Sequence, residues 1–567
     1  MHPALSFLLR LPGTTRAPRV VADAPVRHRL GSTLPGITHR ARQAAATLAI
    51  LITFLALPSA APAMETLRQY LPAAEATPTP ATTPEPAPTP AAATPTPPPE
   101  PDAAKQPPVI RVNVASQSSN FSQPWRKNPP VLRQGLGVVL MDGRILVTAE
   151  LVANHSYVEL EKPETALKAA AQVEVVDYDA NLALLAAPAA EFLQSIPGAR
   201  LDETAAVGDR VDILQLEPNG TPVRTTGTIT TVEVAPYPVD ENAFLIFKLS
   251  VPLQSRENSF TIPVFNNDRL VGLVMRYDQR SQTADVVPAP VISHFLAAAG
   301  REPYAGFPRA GLTYSDTRDP QLRRFAKLPN GNGGAYITKV LPGSPASDAG
   351  LKVGDVLLRV DGKTIDQDGN YEDPRFGKIS LAHYVSTVLQ AGQKVPIVIW
   401  RDGAEVQLEG TLAPRDRSRM ISQPYIFDTP PRFVIVGGLV FSELSRQFLR
   451  EWGPNWSREA PLRLIYLDRF QSELPADRGK IVFVSGVLPG PNTVGYENLS
   501  YEVVDEVNGR PIKSLEDLAA AIDQPADKFH RITLAEDPGL VILDIEGSKT
   551  EEERIKRDYR IPSLRQL

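Results

Sequence analysis

The chain has 567 residues, enough for three or four domains at about 150 residues each, and its 43% hydrophobic residues can fill several cores. Its net charge of −5 gives no basic footprint for nucleic acid, so no nucleic-acid partner is expected. Because cysteine is absent, disulfide frameworks, Cys-ligated metal sites, cysteine nucleophiles and lipid-modified N-terminal cysteines are excluded.

Residues 1–63 have the pattern of a secretory leader. An arginine-rich, acid-poor stretch precedes 14 apolar residues at 44–57 (AAATLAILITFLAL), fewer than the ~20 that cross a membrane as a helix. Alanines at 61 and 63 fit a signal-peptidase site. We therefore expect secretion across the inner membrane into the periplasm or cell envelope, with membrane contact only through an uncleaved leader. A helix of a soluble core is the alternative.

Residues 64–108 form a linker rich in proline, alanine and threonine. Between 71 and 110 the sequence has 14 prolines and no glycine, a composition that buries no core and favours polyproline II. At ~3.1 Å per residue, such a segment reaches on the order of 100 Å and acts as a stiff spacer. Recognition by a proline-binding domain is the alternative.

Three globular blocks and one polar link follow, at residues 109–303, 304–415, 416–432 (the link) and 433–567. Short β-type runs at about ten-residue spacing dominate the first block and predict all-β barrels or sandwiches. One predicted helix, residues 291–300 (VISHFLAAAG), closes that block. The other two blocks mix strands with helices, and residues 366–377 (DQDGNYEDPRFG) predict a loop.

Three segments of the first block keep an apolar framework around polar positions: 146–152 (LVTAELV), 181–185 (NLALL) and 257–265 (ENSFTIPVF). Their order resembles the trypsin-like domain of the secreted Deg/HtrA serine proteases. That family has LTNAHV around its general base, DLALL around its orienting acid and GNSGGPL around its nucleophile. The resemblance implies a mainly β fold with α+β modules, in which a trypsin-like double β-barrel precedes two PDZ-like domains.

The same resemblance puts altered residues at the catalytic positions. Glu150 stands at the base and Asn181 at the acid. Ser259 stands at the nucleophile, although a second alignment puts Phe260 there, and Glu257 replaces an oxyanion-loop glycine. A serine needs a base to take its proton, an acid to orient that base and N–H groups facing the oxyanion. We therefore expect no working catalytic residues; we also expect His155 in a surface turn and His294 in helix packing.

Residues 334–365 (GAYITKVLPGSPASDAGLKVGDVLLRVDGKTI) resemble a bacterial PDZ domain, with a helix end at 349–351 (AGL) and a hairpin at 361–362 (DG). PDZ domains add an extended chain end to an open sheet edge and hold its carboxylate on backbone N–H groups. The candidate peptide-binding residues are Ala310, Gly311, Leu312, Thr313 and His383. Helix 379–389 should flank the groove; a turn without ligand and a surface histidine are the alternatives.

Residues 431–453 and 479–522 resemble the C-terminal PDZ-like domain of the plant-type branch of the family. A second candidate carboxylate loop consists of Gly438, Leu439, Val440 and Phe441. The resemblance implies that this domain serves assembly more than ligand capture. Packing of the apolar segment against the preceding block is the alternative.

The resemblance as a whole implies a Deg/HtrA-like pseudoprotease that binds peptide C-termini or unfolded segments as a chaperone, adaptor or scaffold in envelope protein quality control. An active serine endopeptidase with a rearranged site and a structural envelope protein are the alternatives. Family members form trimers, which implies a homo-oligomer. We expect no cofactor and no metal, because alternating acidic residues at 366–372 stop short of a full calcium loop.

Overall fold

The computed structural model describes residues 106–238, 243–254, 261–331, 333–475 and 477–567. All of these belong to one unit of mutually contacting chain, residues 98–567. The predicted leader and nearly all of the proline-rich linker lie outside the described residues, so both stay predictions. Within the described ranges, no helix is long and apolar enough to cross a membrane.

The first barrel is a curled sheet of seven strands in the order β5-β4-β1-β2-β3-β7-β6. Its strands are β1 (Val109–Ser116), β2 (Val131–Val139), β3 (Ile145–Val147), β4 (His155–Glu161), β5 (Lys168–Ala170), β6 (Gln172–Asp177) and β7 (Leu182–Ala186). A short helix, α1 (Ala149–Val152), follows β3 directly. Inward-facing side chains alternate with outward-facing ones along β1 and fill the interior.

The second barrel also has seven strands, in the order β12-β9-β10-β11-β14-β13-β8. They are β8 (Arg200–Leu201), β9 (Arg210–Leu216), β10 (Pro222–Pro236), β11 (Ala243–Ser250), β12 (Ile262–Asn266), β13 (Arg269–Asp278) and β14 (Thr283–Pro288). Pairing of β12 with β13 closes the sheet on itself. Helix α2 (Ala289–Ala299) ends the block, as predicted. The expected mainly β, trypsin-like arrangement is confirmed.

The PDZ block has a main sheet in the order β15-β16-β17-β21-β22, with β18 beside β17 and a separate hairpin of β19 and β20. Its strands are β15 (Leu312–Ser315), β16 (Ala335–Val340), β17 (Val356–Val360), β18 (Lys363–Thr364), β19 (Asn370–Asp373), β20 (Gly377–Ser380), β21 (Lys394–Arg401) and β22 (Ala404–Thr411). Its helices are α3 (Pro320–Phe325), α4 (Pro345–Asp348) and α5 (Leu381–His383), which continues as a π-helix (Tyr384–Val388).

The loop predicted at residues 366–377 is wrong, because strand β19 lies inside it and pairs with β20. Turn-forming residues dominate this stretch, so only Tyr371 signals a strand, and its side chain is buried. The acidic residues pair with cations: Asp368 with Arg318, and Asp366 with Lys378 at 3.8 Å. No group of acidic or histidine side chains in the described part of the chain could hold a metal ion.

The last block contains two four-stranded sheets, β25-β24-β23-β30 and β27-β26-β28-β29. Its strands are β23 (Phe433–Val436), β24 (Leu439–Glu443), β25 (Val482–Val487), β26 (Val504–Val507), β27 (Arg510–Pro511), β28 (Phe529–Leu534), β29 (Leu540–Asp544) and β30 (Arg565–Gln566). Its helices are α6 (Arg446–Leu449), α7 (Trp456–Glu459), α8 (Leu462–Arg469), α9 (Leu515–Asp523) and α10 (Ile545–Tyr559).

One hydrophobic core runs from the second barrel into the PDZ block. Phe247 on β11 packs edge-on against Phe376 at the tip of the β19–β20 hairpin, with ring centroids 6.0 Å apart. On α2, Nδ1 of His294 lies 2.9 Å from the carbonyl oxygen of Thr387 in the π-helix. The PDZ block is therefore packed against the barrel rather than tethered to it.

An acidic turn, residues 177–181, joins the first barrel to the PDZ block and to the link. Arg309 forms an ion pair with Asp179 at 3.7 Å, and Arg417 donates to the same carboxylate at 2.8 Å. The hydroxyl of Tyr425 donates to it at 3.1 Å. Arg309 also stacks its guanidinium over the ring of Phe244, 4.9 Å from the centroid. Two arginines from outside the barrel thus hold one carboxylate inside the turn.

The neighbouring residues strengthen the same junction. Tyr304, which precedes the PDZ sheet, donates its hydroxyl to Asp177 at 2.7 Å. Burial, together with the charge of Asp179, raises the pKa of Asp177 above its usual value. The hydroxyl of Tyr178 bonds to Asp428 in the link. Every carboxylate of the turn therefore contacts a residue from beyond residue 303.

A loop between β1 and β2 reaches the last block in the same way. Phe121 is buried in a cluster with Leu444 and Phe448, and its backbone N–H donates to Glu451 at 3.2 Å. Trp125 packs edge-on against Phe433 at 6.2 Å. The first barrel therefore contacts both C-terminal blocks.

Neutralising Asp179 should destabilise the protein. In an Asp179→Asn variant the amide oxygen can still accept from Arg417, but the largely buried Arg309 loses its ion-pair partner. We expect a loss of about 2 kcal/mol in the free energy of unfolding, measured by urea titration. The matched control is Glu405→Gln, which removes the exposed Arg359–Glu405 pair and should cost below about 0.5 kcal/mol. Equal losses would mean that the Asp179 charge does not hold the junction.

Candidate functional site

The residues at the predicted base and acid positions lie side by side. Thr148 caps helix α1 at the end of β3, and Glu150 lies in its first turn. Asn181 lies in the turn between β6 and β7 with φ +55°, a left-handed conformation that asparagine tolerates better than most residues. Its Oδ1 accepts the backbone N–H of Glu150 at 2.9 Å. The fold thus brings the two sequence-predicted positions together.

The amide nitrogen of the Asn181 side chain, Nδ2, has no hydrogen-bonding role among the described residues. The residue is 3% exposed, and its buried Nδ2 finds no hydrogen-bond partner among the described residues. An unsatisfied buried donor costs about 1–3 kcal/mol. A carboxylate here would be an anion that could orient a histidine, whereas the amide supplies no charge.

Glu150 is a carboxylate at the mouth of this corner. The residue is exposed, yet the surrounding protein partly desolvates the carboxylate and raises its pKa, while the charges of Arg133 and Arg276 oppose the shift. Arg133 also donates to the carbonyl oxygens of Glu150 at 2.6 Å and of Ala153 at 3.2 Å, at the C-terminal end of α1. The base position therefore lacks an imidazole, and the acid position lacks the anion that would orient one.

The third predicted position lies outside the described residues, because Glu257, Ser259 and Phe260 fall in the gap at 255–260. The next residue, Thr261, is fully buried. Its Oγ1 lies 2.7 Å from Oγ1 of Thr148, and its carbonyl accepts the N–H of Leu136 at 3.0 Å. The chain thus enters β12 beside the cap of α1, while the roles of the three undescribed residues stay predictions.

The two histidines of the barrel block, His155 and His294, have structural roles. His155 begins β4 on the surface rather than in a turn, with Nδ1 2.9 Å from the carbonyl of Val152. His294 is buried and stacks on Phe307 at 4.5 Å. Burial lowers the pKa of His294, which keeps it neutral at pH 7. Helix packing is the role that the sequence predicted for it.

The first glycine loop has the geometry of a carboxylate cradle. The carbonyl of Ala310 accepts from the N–H of Ala346 at 2.9 Å, and that of Gly311 accepts from Leu341 at 2.8 Å. In a trans peptide the N–H points opposite to the preceding carbonyl. The N–H groups of Gly311 and Leu312 therefore both point away from the 341–346 turn, toward the outer edge of β15. Two adjacent amide donors of this kind can bind a carboxylate.

Strand β15 is an edge strand, since it pairs only with β16 among the described strands. Thr313 is exposed, and its hydroxyl lies 3.0 Å from that of Thr338. The hydroxyl of Tyr314 lies 3.3 Å from the carbonyl of Gly369 and 3.2 Å from Oγ of Ser380. The edge next to the cradle is thus free for an added strand, and Tyr314 crosses to β20 at its far end.

His383 does not fit the role predicted for it. It is 2% exposed, so it is neither a surface residue nor a side chain that a ligand could reach. It packs between Tyr371 at 6.4 Å and Phe376 at 5.9 Å. Burial lowers its pKa to about 4, and its Nδ1 has no partner within the described chain. The β19–β20 hairpin, which the sequence had suggested was a loop, covers it.

The second glycine loop is built differently from the first. Strand β24 follows Gly438 as β15 follows Gly311, and it pairs with β25 as β15 pairs with β16. Its other edge, however, pairs with β23. Residues Leu439, Val440 and Phe441 are buried. The loop therefore offers no edge to a peptide, which favours the packing and assembly alternatives over ligand capture.

A family model described as PDZ domain matches residues 423–566, and a second PDZ-domain model matches residues 336–374. Protease Do-like 2, chloroplastic, of Arabidopsis thaliana is 28% identical over 472 residues, which cover 82% of this chain and 75% of that protein. Protease Do-like 4, mitochondrial, of the same organism is 24% identical, with 80% and 84% covered. Over about four fifths of its length, the chain is thus similar to Do-like proteases of the Deg/HtrA family.

A solved structure titled HtrA-type protease AlgW with decapeptide is 16% identical to this chain. The match covers 55% of this chain and 97% of that one, with a TM-score of 0.42.

Sequence reasoning missed the residues that fix the acidic turn: Tyr304, Arg309, Arg417 and Tyr425. They come from the PDZ block and the link, and nothing in their local sequence connects them to position 181. The one available signal is the acidic pair, Asp177 and Asp179, directly before the acid position of the family motif. Two carboxylates in a turn that becomes buried need cationic or hydroxyl partners.

The burial of His383 predicts a loss of stability in mild acid. Its pKa is about 4 in the folded protein and about 6.5 when unfolded, so the unfolded chain binds the proton more tightly. Stability is thus full above pH 6.5 and falls as the pH drops toward 4, by on the order of 3 kcal/mol in total. Urea unfolding at pH 7 and pH 4.5 measures this loss.

A His383→Leu variant should lose less stability over the same interval, because it removes the titrating group together with its unpartnered nitrogen. Some dependence of stability on pH should remain, since burial also lowers the pKa of His294 and His530. The exposed His155→Gln variant is the control and should behave as the unsubstituted protein. If His383→Leu loses as much stability between pH 7 and pH 4.5 as the unsubstituted protein, His383 is not the cause of the loss.

Proposed function

We propose that this Deg/HtrA chain is a pseudoprotease that binds exposed peptide C-termini, or unfolded segments, through its first PDZ domain. It would act as a chaperone, adaptor or scaffold in protein quality control of the cell envelope. The observation that carries the proposal is the Glu150–Asn181 corner. There the side-chain oxygen of Asn181 accepts the backbone N–H of Glu150. Glu150 stands where the family has a histidine, and Asn181 stands where it has an aspartate.

The size of the catalytic deficit supports this function. Removing a catalytic histidine alone costs a serine protease on the order of 10⁶ in rate. Here the base and the orienting acid are both replaced, and Glu257 stands where the family's oxyanion loop has glycine. The barrel cores do not depend on these positions, because Leu182 and Leu184 beside Asn181 remain buried. A folded scaffold without hydrolysis is the consistent outcome.

The first PDZ domain supplies the binding part of the proposal. A peptide lying along β15 would add a strand through backbone hydrogen bonds, and its carboxylate would accept from the N–H groups of Gly311 and Leu312. A Cβ on Gly311 would come within 2.2 Å of the Cβ of Ser344, so the cradle requires glycine. The predicted leader of residues 1–63, with its arginine-rich start and its apolar segment at 44–57, is the basis for proposing a periplasmic or envelope location.

An active serine endopeptidase with a rearranged site is the second candidate. The matched Arabidopsis proteins carry the name protease, and the sequence keeps a serine at position 259. The raised pKa of Glu150 also makes it a stronger base than an ordinary carboxylate. Activity measurements separate this candidate from the pseudoprotease.

Degradation of unfolded casein by the full chain is the test of the catalytic claim. We expect no peptide release above background from the unsubstituted protein and none from a Ser259→Ala variant. A fluorophosphonate probe should label neither protein, because an unactivated serine does not react. Hydrolysis that disappears in Ser259→Ala would establish a rearranged protease and refute the pseudoprotease.

A Gly311→Glu variant tests the cradle. The side chain would collide with Ser344 and place a negative charge beside the ligand carboxylate, so binding of a fluorescent peptide with a free C-terminus should weaken at least about tenfold. The same peptide with an amidated C-terminus should bind the unsubstituted protein as weakly as the free-carboxylate peptide binds the Gly311→Glu variant.

The matched control for this test is Gly392→Glu. Gly392 also has a positive φ, of +83°, but its Cβ would meet nothing within 4 Å. This variant places the same added charge on another positive-φ glycine, in the turn before β21, and it should bind like the unsubstituted protein. Peptide binding that survives Gly311→Glu would rule out the groove assignment.

A further inference from the structure

The free edge of β15 determines which residues of a bound peptide face which side chains of the domain. The N–H of Leu312 points to that edge, because the preceding carbonyl, of Gly311, accepts from Leu341 on the other side. Along an antiparallel strand, successive residues direct their backbone groups to opposite neighbours, so those of Thr313 face β16 and those of Tyr314 face the free edge. A peptide whose last residue lies opposite Leu312 therefore places its third residue from the end opposite Tyr314.

The side chain of Tyr314 runs from β15 to the start of helix α5. Its hydroxyl lies 3.3 Å from the carbonyl oxygen of Gly369 and 3.2 Å from Oγ of Ser380, which caps α5. The ring lies directly against Gly369, where a Cβ would come within 2.2 Å of Cε2 of the tyrosine. Contacts at the tip and along the edge thus hold the ring in place, and it packs against the core of the domain.

The two faces of β15 offer different surroundings to a peptide. Thr313 is exposed, and its hydroxyl lies 3.0 Å from that of Thr338 on β16. Side chains of directly opposite residues in neighbouring strands point to the same face of a sheet. The third side chain from the end of the peptide therefore shares its face with the ring of Tyr314, whereas the second from the end shares the exposed face with Thr313.

We propose that Tyr314 makes the first PDZ domain select peptides whose third residue from the end is small: glycine, alanine or serine. This inference rests on the proposed peptide binding and names the class of C-terminus that is bound. Opposite Cβ atoms lie about 4.5–5.5 Å apart, and on this face the ring already spans from β15 to the cap of α5. A leucine or phenylalanine side chain would collide with the ring, which moves aside only by giving up its contacts with Gly369 and Ser380.

Size rather than polarity decides the selection. The hydroxyl of Tyr314 lies within hydrogen-bonding distance of both Gly369 and Ser380, and Oγ of Ser380 also accepts the backbone N–H of Ala382 at 3.3 Å. The polar atoms at the tip of the ring thus have partners within the domain. A polar side chain on the peptide gains little there, while a large one still overpacks the space.

Three fluorescein-labelled heptapeptides with a free C-terminus test the selection, with fluorescence anisotropy of the full chain as the measurement. They consist of alanine with a terminal valine and differ only in the third residue from the end, which is alanine, leucine or phenylalanine. We expect the leucine and phenylalanine peptides to bind at least about tenfold more weakly than the alanine peptide. Equal binding of all three would overturn the role of Tyr314 and leave the proposed function standing. Binding of none would refute the proposed function, and this inference with it.

Substitutions at position 314 assign the selection to the ring. Tyr314→Ala removes the ring and should bring the three affinities to within about twofold of one another. Tyr314→Leu retains an apolar contact with the core but is too short to reach Ser380, so it should relax the preference too and decides the matter if Tyr314→Ala fails to fold. The matched control is Tyr157→Ala, at a half-exposed tyrosine of the first barrel, which should keep the full preference. A tenfold preference that survives both substitutions of Tyr314 would contradict the proposal.

Discussion

The carboxylate of Asp179 is the point at which the first barrel, the PDZ block and the link are held together. It accepts from Arg417 and pairs with Arg309, whose guanidinium lies against the ring of Phe244 in the second barrel. A partly buried cation needs an anion close by, so these groups constrain one another strongly. Because Gly311 lies two residues after Arg309, the first glycine loop is fixed to the barrels.

The same constraint explains how the corner formed by Glu150 and Asn181 keeps its shape. Asn181 ends the acidic turn that Asp179 anchors, and its left-handed conformation directs Oδ1 to the N–H of Glu150. That hydrogen bond needs only an acceptor, which an amide provides as well as a carboxylate. The geometry of the corner therefore does not depend on the imidazole and the anion that proton transfer in a triad needs, as the proposed pseudoprotease requires.

Much of the fold could be predicted, because its signals are local. The 361–362 turn, the glycine after α4 and the apolar framework around position 181 all depend on neighbouring residues. The β19–β20 hairpin was missed because turn-forming residues conceal the single buried Tyr371, and the burial of His383 was missed with it. The ion pairs of Asp179 could not be predicted, since they join residues more than a hundred positions apart.

The two glycine loops show why sequence similarity alone does not identify a peptide groove. Each loop precedes a strand that pairs on one side with the next long strand of its domain. The capacity to bind depends on the opposite edge, and that edge is decided by the chain before the loop. In the last block, β23 turns directly into β24 and takes up its free N–H and C=O groups. Before Gly311 the chain runs instead to Arg309 and the acidic turn, which leaves β15 open for an added strand.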